Sequence, residues 1–174
     1  KRKEDIERRI EKLVRDDRRL VREAEKRSKE SVDRLRDLVD KARKESDESA
    51  RTIDKLIKDG VERRDIERMI RESSKRVKDV IERLKKLLEE STRTVEELVR
   101  RSKRTLDEIR EEVERLDVEE RVRKRLEDVV RESKKRLDEI KKRNEDVVRE
   151  LEERLRRIEE RNRRVAEELK RKAK

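Results

Sequence analysis

The sequence predicts an all-α fold, a single-chain antiparallel three-helix bundle of long, nearly straight helices, and three observations predict it. A stripe of uncharged side chains recurs every 18 positions in three blocks of 15 stations, with Asp17 the one charged station; none of the 45 stations is Lys, Arg or Glu, although 63% of the chain is charged. The chain has no Pro and one Gly, so almost nothing interrupts a helix, and its abundant Glu, Lys, Arg and Leu are good helix formers. The stripe loses its phase at two places, and each carries a helix stop or start signal.

The first block runs from Ile6 to Leu56 and predicts a helix over about 3–58. Continued past Leu56, the same walk meets Gly60, Arg64, Glu67 and Arg71, so the phase ends there. Gly60 supplies the left-handed residue that commonly closes a helix, with Val61 placed to pack back on it. The second block, Ile66 to Leu116, predicts a helix over about 62–115. Beyond Leu116 the walk meets Glu120, Lys124 and Glu127, and a new phase is entered through Val118 and Val122. Asp117 is the expected cap of the third helix, with Glu120 completing a capping box. The third block, Val122 to Ala173, predicts a helix over about 118–172.

All 174 residues are expected to form one bundle domain. At about 1.5 Å per residue each helix would be about 80–85 Å long. Turns this short force neighbouring helices to run antiparallel. The repeat length also sets the twist. Eighteen residues make about five turns of about 3.6 residues, the natural pitch of a straight helix, whereas a seven-residue repeat imposes a left-handed supercoil. Fifteen further apolar residues lie off the stripe and mostly flank it, among them Val14, Val21, Val32 and Val39, then Met69, Ile81, Leu87 and Val99, then Val130, Val148 and Ala166. That widens the apolar face to suit a helix with two neighbours.

The uncharged polar residues concentrate on the stripe: eight of nine Ser and both Asn are stations. Folding the chain back at residues 60 and 117 brings three sets to common heights. These are Ser46, Ser73 and Asn162; Ser28, Ser91 and Asn144; and Asp17, Ser102 and Ser133. Ser49 and Ser31 fall one turn from the first two. We expect three buried hydrogen-bonded layers, in which an Asn amide can bridge two Ser hydroxyls. An unpaired buried polar group costs about 1–3 kcal/mol, so such layers penalise slipped registers that a uniform Leu/Val stripe would tolerate. The competing reading makes each Ser merely a small residue that admits a close helix or bonds back to its own helix.

Composition excludes much chemistry. With no His, Cys or Tyr the usual general bases and nucleophiles are missing, and Asp17 with Ser102 and Ser133 lacks the His a triad needs. No catalytic, cofactor-binding or metal-binding residue is expected, since the stations hold no Glu or His to project into a di-metal core. The net charge of +11 comes from 60 basic and 49 acidic residues closely interspersed, which reads as a solvated, ion-paired surface. Weak, salt-sensitive nucleic-acid attraction is compatible with that charge, but there is no aromatic stacking platform and no specific nucleic-acid partner is expected. The longest apolar runs are pairs, so no segment reads as a membrane span or signal peptide. A chain beginning at Lys1 is expected to be a processed product.

The straight 18-residue period, matched polar positions, minimal turns and Glu/Lys/Arg-saturated surface together resemble computationally designed parametric helical bundles with buried hydrogen-bond networks. The resemblance covers the whole chain. It departs from that family in lacking Trp and Tyr and in using Val heavily. It implies high stability, soluble recombinant expression and no evolved activity. The expected role is a structural scaffold or rigid helical rod, monomeric and requiring no partner. The alternatives are a self-associating coiled-coil module, with chains pairing through leftover apolar flanks, and a weak nonspecific nucleic-acid binder.

Overall fold

In the computed structural model, which describes residues 2–116 and 118–173, the chain is a three-helix bundle. Helix α1 spans Arg2–Lys58, α2 spans Arg63–Arg115 and α3 spans Glu120–Lys172, with no strand among the described residues. Each carries acidic residues in its first turn and basic residues in its last, matching the helix dipole. The helices begin and end within two residues of the positions expected from the stripe.

The α1–α2 turn is built by Gly60. Its φ of +85° is the only positive value among the described residues. The Gly60 amide donates to the Ile57 carbonyl and the Val61 amide donates to the Leu56 carbonyl, both at 3.1 Å. This is the paired closure of a Schellman motif, and it satisfies carbonyls that the helix end would otherwise leave unbonded. Leu56 and Val61 pack in the same apolar cluster, completing the motif. α2 then starts on the Glu62 carbonyl, which accepts from the Asp65 and Ile66 amides. α3 starts likewise on the Glu119 carbonyl, which accepts from Val122 and Arg123. That is two residues later than the sequence suggested. The expected cap, Asp117, lies outside the described residues.

The helices are shared between two compact units, Lys1–Ser31 with Ser91–Asp146 (unit 1) and Val32–Glu90 with Val147–Lys174 (unit 2). In unit 1 one apolar cluster runs from Leu13, Val113 and Leu126 to Ala24, Val95 and Ile140. In unit 2 there are two clusters. Leu35, Val39, Leu84, Leu88, Leu151 and Leu155 centre the larger; Ile53, Ile66, Ile70 and Leu169 form the smaller, beside the Gly60 turn.

Ion pairs report the helix directions within each unit. In unit 1, Lys103 pairs with Asp138 and Asp107 with Lys134, so numbers rise on α2 as they fall on α3. In unit 2, Asp40–Arg154, Asp47–Arg161 and Asp54–Lys172 climb together, so α1 and α3 are parallel there. Most of these pairs are solvent-exposed, and each contributes about 0.2–1 kcal/mol at best. They report register and direction more than stability.

The apolar face is wide, as expected, and buried residues lie both on the stripe and beside it. In several adjacent apolar pairs the second residue is buried and the first only half-buried, although Leu13 and Val14 reverse the order and Leu56 and Ile57 are both half-buried. Leu20 and Val21, Leu38 and Val39, Val80 and Ile81, Leu98 and Val99, Val129 and Val130, and Val147 and Val148 show the first pattern. Most of the fully buried apolar residues are stations, such as Leu88, Leu106, Leu137, Leu151 and Leu155, and flanking residues such as Val39 and Ile81 share the interior with them. A helix wedged between two partners aims its middle at the bundle axis and gives each partner one shoulder.

Candidate functional site

The polar stations are the one group of side chains in this bundle that composition alone would not place inside. Among the described residues six polar side chains are buried: Asp17, Ser28, Ser73, Ser91, Ser102 and Asn144. Ser46, Ser133 and Asn162 are half-buried, as are Ser31 and Ser49.

Among the described residues, three hydrogen bonds join polar stations between helices. In unit 1, the Ser133 hydroxyl donates to Asp17 Oδ2 at 2.7 Å. Also in unit 1, the Ser31 and Ser91 hydroxyls bond at 2.8 Å. In unit 2, Ser49 and Ser73 bond at 2.5 Å. The structure therefore brings Asp17 and Ser133 together as the fold-back heights suggested. It gives Ser91 and Ser73 partners on α1 one turn beyond the expected Ser28 and Ser46.

The shift has a geometric cause. Every Cα–Cβ bond on a helix tilts toward that helix's N-terminus, so a surface spot is covered by a residue about one position C-terminal to it. Antiparallel helices tilt in opposite senses, and partners therefore lie at higher numbers on both helices than Cα heights suggest. Parallel helices tilt alike and the offset cancels. The Asp17–Ser133 bond joins the parallel pair α1 and α3, whereas both Ser–Ser bonds join the antiparallel pair α1 and α2.

Satisfaction is uneven. Asp17 Oδ1 and Asn144 Nδ2 are buried without a hydrogen-bond partner, as is Arg123 Nε. Asp17 is 2% exposed and Asn144 1% exposed. Burial pushes the Asp17 carboxyl above the ordinary carboxylate range, while the Ser133 hydroxyl and the Arg18 charge pull it partly back. Asp40 moves the other way: the hydrogen bond from Arg154 holds it below the usual range.

Concavities lie along the helix seams. In unit 2 a groove of about 470 Å³ between α1 and α2 has the Ser49–Ser73 pair in its wall, and one of about 500 Å³ between α1 and α3 is lined by Ser46 and charged residues such as Arg154, Arg157 and Arg161. In unit 1 a cleft of about 340 Å³ exposes one side of the Asp17–Ser133 pair to Arg18, Arg22 and Arg136. Among the described residues no group of three or more acidic, His or Cys side chains is arranged to hold a metal ion. No helix there is long and apolar enough to cross a membrane.

No protein-family profile matches the chain. No curated protein matches it either. Among solved structures it is similar to a chain described as a "Computationally designed three helix bundle", at 19% identity and a TM-score of 0.40, over 98% of this chain and 83% of that one. A likeness of that size lends no weight to any functional reading.

Proposed function

We propose that this chain is a designed structural scaffold with no evolved biochemical activity, its buried Ser, Asn and Asp residues serving to fix the register of the helices. One observation supports this above the others: the buried side chains are apolar except for six polar residues, all of them stations of the 18-residue stripe. The specific information in the sequence is thus spent on the interior. The surface is a near-uniform mixture of Lys, Arg, Glu and Asp, with no large apolar residue fully exposed among the described residues.

The register role rests on cost rather than on gain. A hydroxyl–hydroxyl bond contributes about 0.5–1.5 kcal/mol net, but a slipped helix would oppose Ser or Asp to Leu and leave each without a partner at about 1–3 kcal/mol apiece. The test is light-scattering mass combined with denaturant unfolding. A monomer of 21.5 kDa that unfolds in one steep transition is the expected result. A doubled mass would replace the scaffold reading with that of a self-associating module.

A further inference from the structure

The α1/α2 groove of unit 2 differs in charge from the α1/α3 groove beside it. Three Glu residues (Glu45, Glu48 and Glu72) and one Arg (Arg76) are its only charged lining groups, in a chain of net charge +11. The ion pairs that join helices in unit 2 cross the α1/α3 and α2/α3 seams, as Asp40–Arg154 and Lys85–Glu159 do. The neighbouring α1/α3 groove is lined by five Arg residues against three acidic ones. The α1/α2 groove instead combines small residues, Ala42 with the bonded Ser49 and Ser73, with half-buried Leu56, Met69, Val77 and Val80.

These features describe a receptor for a helix. The lining runs over residues 42–56 of α1 and 69–80 of α2, about four helical turns or roughly 20 Å. Small side chains in the wall admit a close approach, and Met69 adapts its shape to what lies against it. The Ser49–Ser73 bond gives each hydroxyl a partner on the other helix, one as donor and the other as acceptor. The acidic rim favours cations beside the apolar stripe and repels a second copy presenting the same groove.

We propose that this groove docks an amphipathic helix of a partner protein, one that presents an apolar stripe flanked by Lys or Arg. The occupant lays about four turns between α1 and α2, with its basic side chains against Glu45, Glu48 and Glu72.

The probes are two fluorescein-labelled 18-residue peptides that share a Leu stripe at helical spacing and differ only in flanking Lys or flanking Glu. Each is titrated with the full chain and followed by fluorescence anisotropy. The Lys peptide binds and the Glu peptide binds at least about tenfold more weakly; raising salt weakens the Lys peptide. The variant E45K/E48K/E72K, in exposed positions and checked for helicity by circular dichroism, loses about tenfold for the Lys peptide and gains for the Glu peptide. A second variant, Ser49→Lys, blocks the groove floor and abolishes both. No binding of the Lys peptide by about 1 mM, equal binding of the two peptides, or indifference to the charge reversal overturns the proposal. So does a doubled chain mass that the charge reversal abolishes, since the groove would then be a homodimer contact.

Discussion

Units 1 and 2 use the same device, polar residues set into an apolar stripe, in opposite settings. In unit 1 five stations, Asp17, Ser28, Ser91, Ser102 and Asn144, are buried and two, Ser31 and Ser133, are half-buried. In unit 2 only Ser73 is buried; Ser46 and Ser49 line open grooves and Asn162 is half-buried. The consequences diverge. All three buried polar atoms without partners belong to unit 1, namely Asp17 Oδ1, Asn144 Nδ2 and Arg123 Nε. The apolar core of unit 2 is divided into two clusters on either side of its Ser/Asn level, whereas that of unit 1 continues past Asp17. An orphaned buried atom such as Asn144 Nδ2 carries a desolvation penalty that a half-buried station escapes by reaching water.

The largest expected effect is common to both units and calibrates the rest. Leu137 in unit 1 and Leu155 in unit 2 are both fully buried. Leu137→Ala and Leu155→Ala should each cost about 2–5 kcal/mol, read from guanidinium unfolding. A much smaller loss in one unit would show that its core closes around the cavity.

The Asn pair sharpens the contrast. Asn144→Leu removes a sealed amide with an unpartnered Nδ2 and should stabilise the protein by about 1–3 kcal/mol. Asn162→Leu, at a half-buried position, should change stability by no more than about 0.5 kcal/mol. Equal effects in parallel urea titrations would erase the distinction between sealed and open stations. The double variant should remain helical with a less well specified register, visible as broader amide resonances.

Asp17 gives the next effect, through pH. Its folded-state pKa is raised above the ordinary value of 3.8, so the native state holds the proton more firmly than the unfolded chain. Stability from this group therefore falls as pH rises from about the ordinary value through the raised one, and the penalty is complete above it. Asp17→Asn keeps an acceptor for Ser133, removes the buried charge and should gain about 1 kcal/mol at neutral pH. Unfolding midpoints measured between pH 3 and 7 should lose that component of their slope in the variant. A small effect of opposite sign comes from Asp40, an exposed group whose pKa is lowered by Arg154. Its contribution is present above the ordinary carboxylate value and disappears as pH falls through the lowered one. Asp40→Asn should cost less than about 1 kcal/mol at neutral pH, and nothing in strong acid.

Much of this was legible in sequence because the signal is periodic. Helix count, the Gly60 turn and the presence of Ser, Asn and Asp on the inner face all follow from a stripe that avoids Lys, Arg and Glu. Two features were not legible, for one reason. A walk along Cα positions ignores where side chains point. It therefore placed Ser28 and Ser46, rather than Ser31 and Ser49, opposite Ser91 and Ser73. It also runs through Leu20 and Leu38, which are less buried than their neighbours Val21 and Val39. Burial and orphaned atoms such as Asn144 Nδ2 depend on a third helix closing over the first two, and no spacing along one helix encodes that.

Gly60 has a further consequence. A Cβ built there meets nothing within 4 Å, so the position selects for backbone hand and is indifferent to bulk. For a scaffold that makes residue 60 an address. A dye, an epitope or an inserted segment tethered at this turn would enter open solvent without touching the core. What it would give up is the local cost of leaving glycine, least for Asn, which visits the left-handed region most readily among the alternatives.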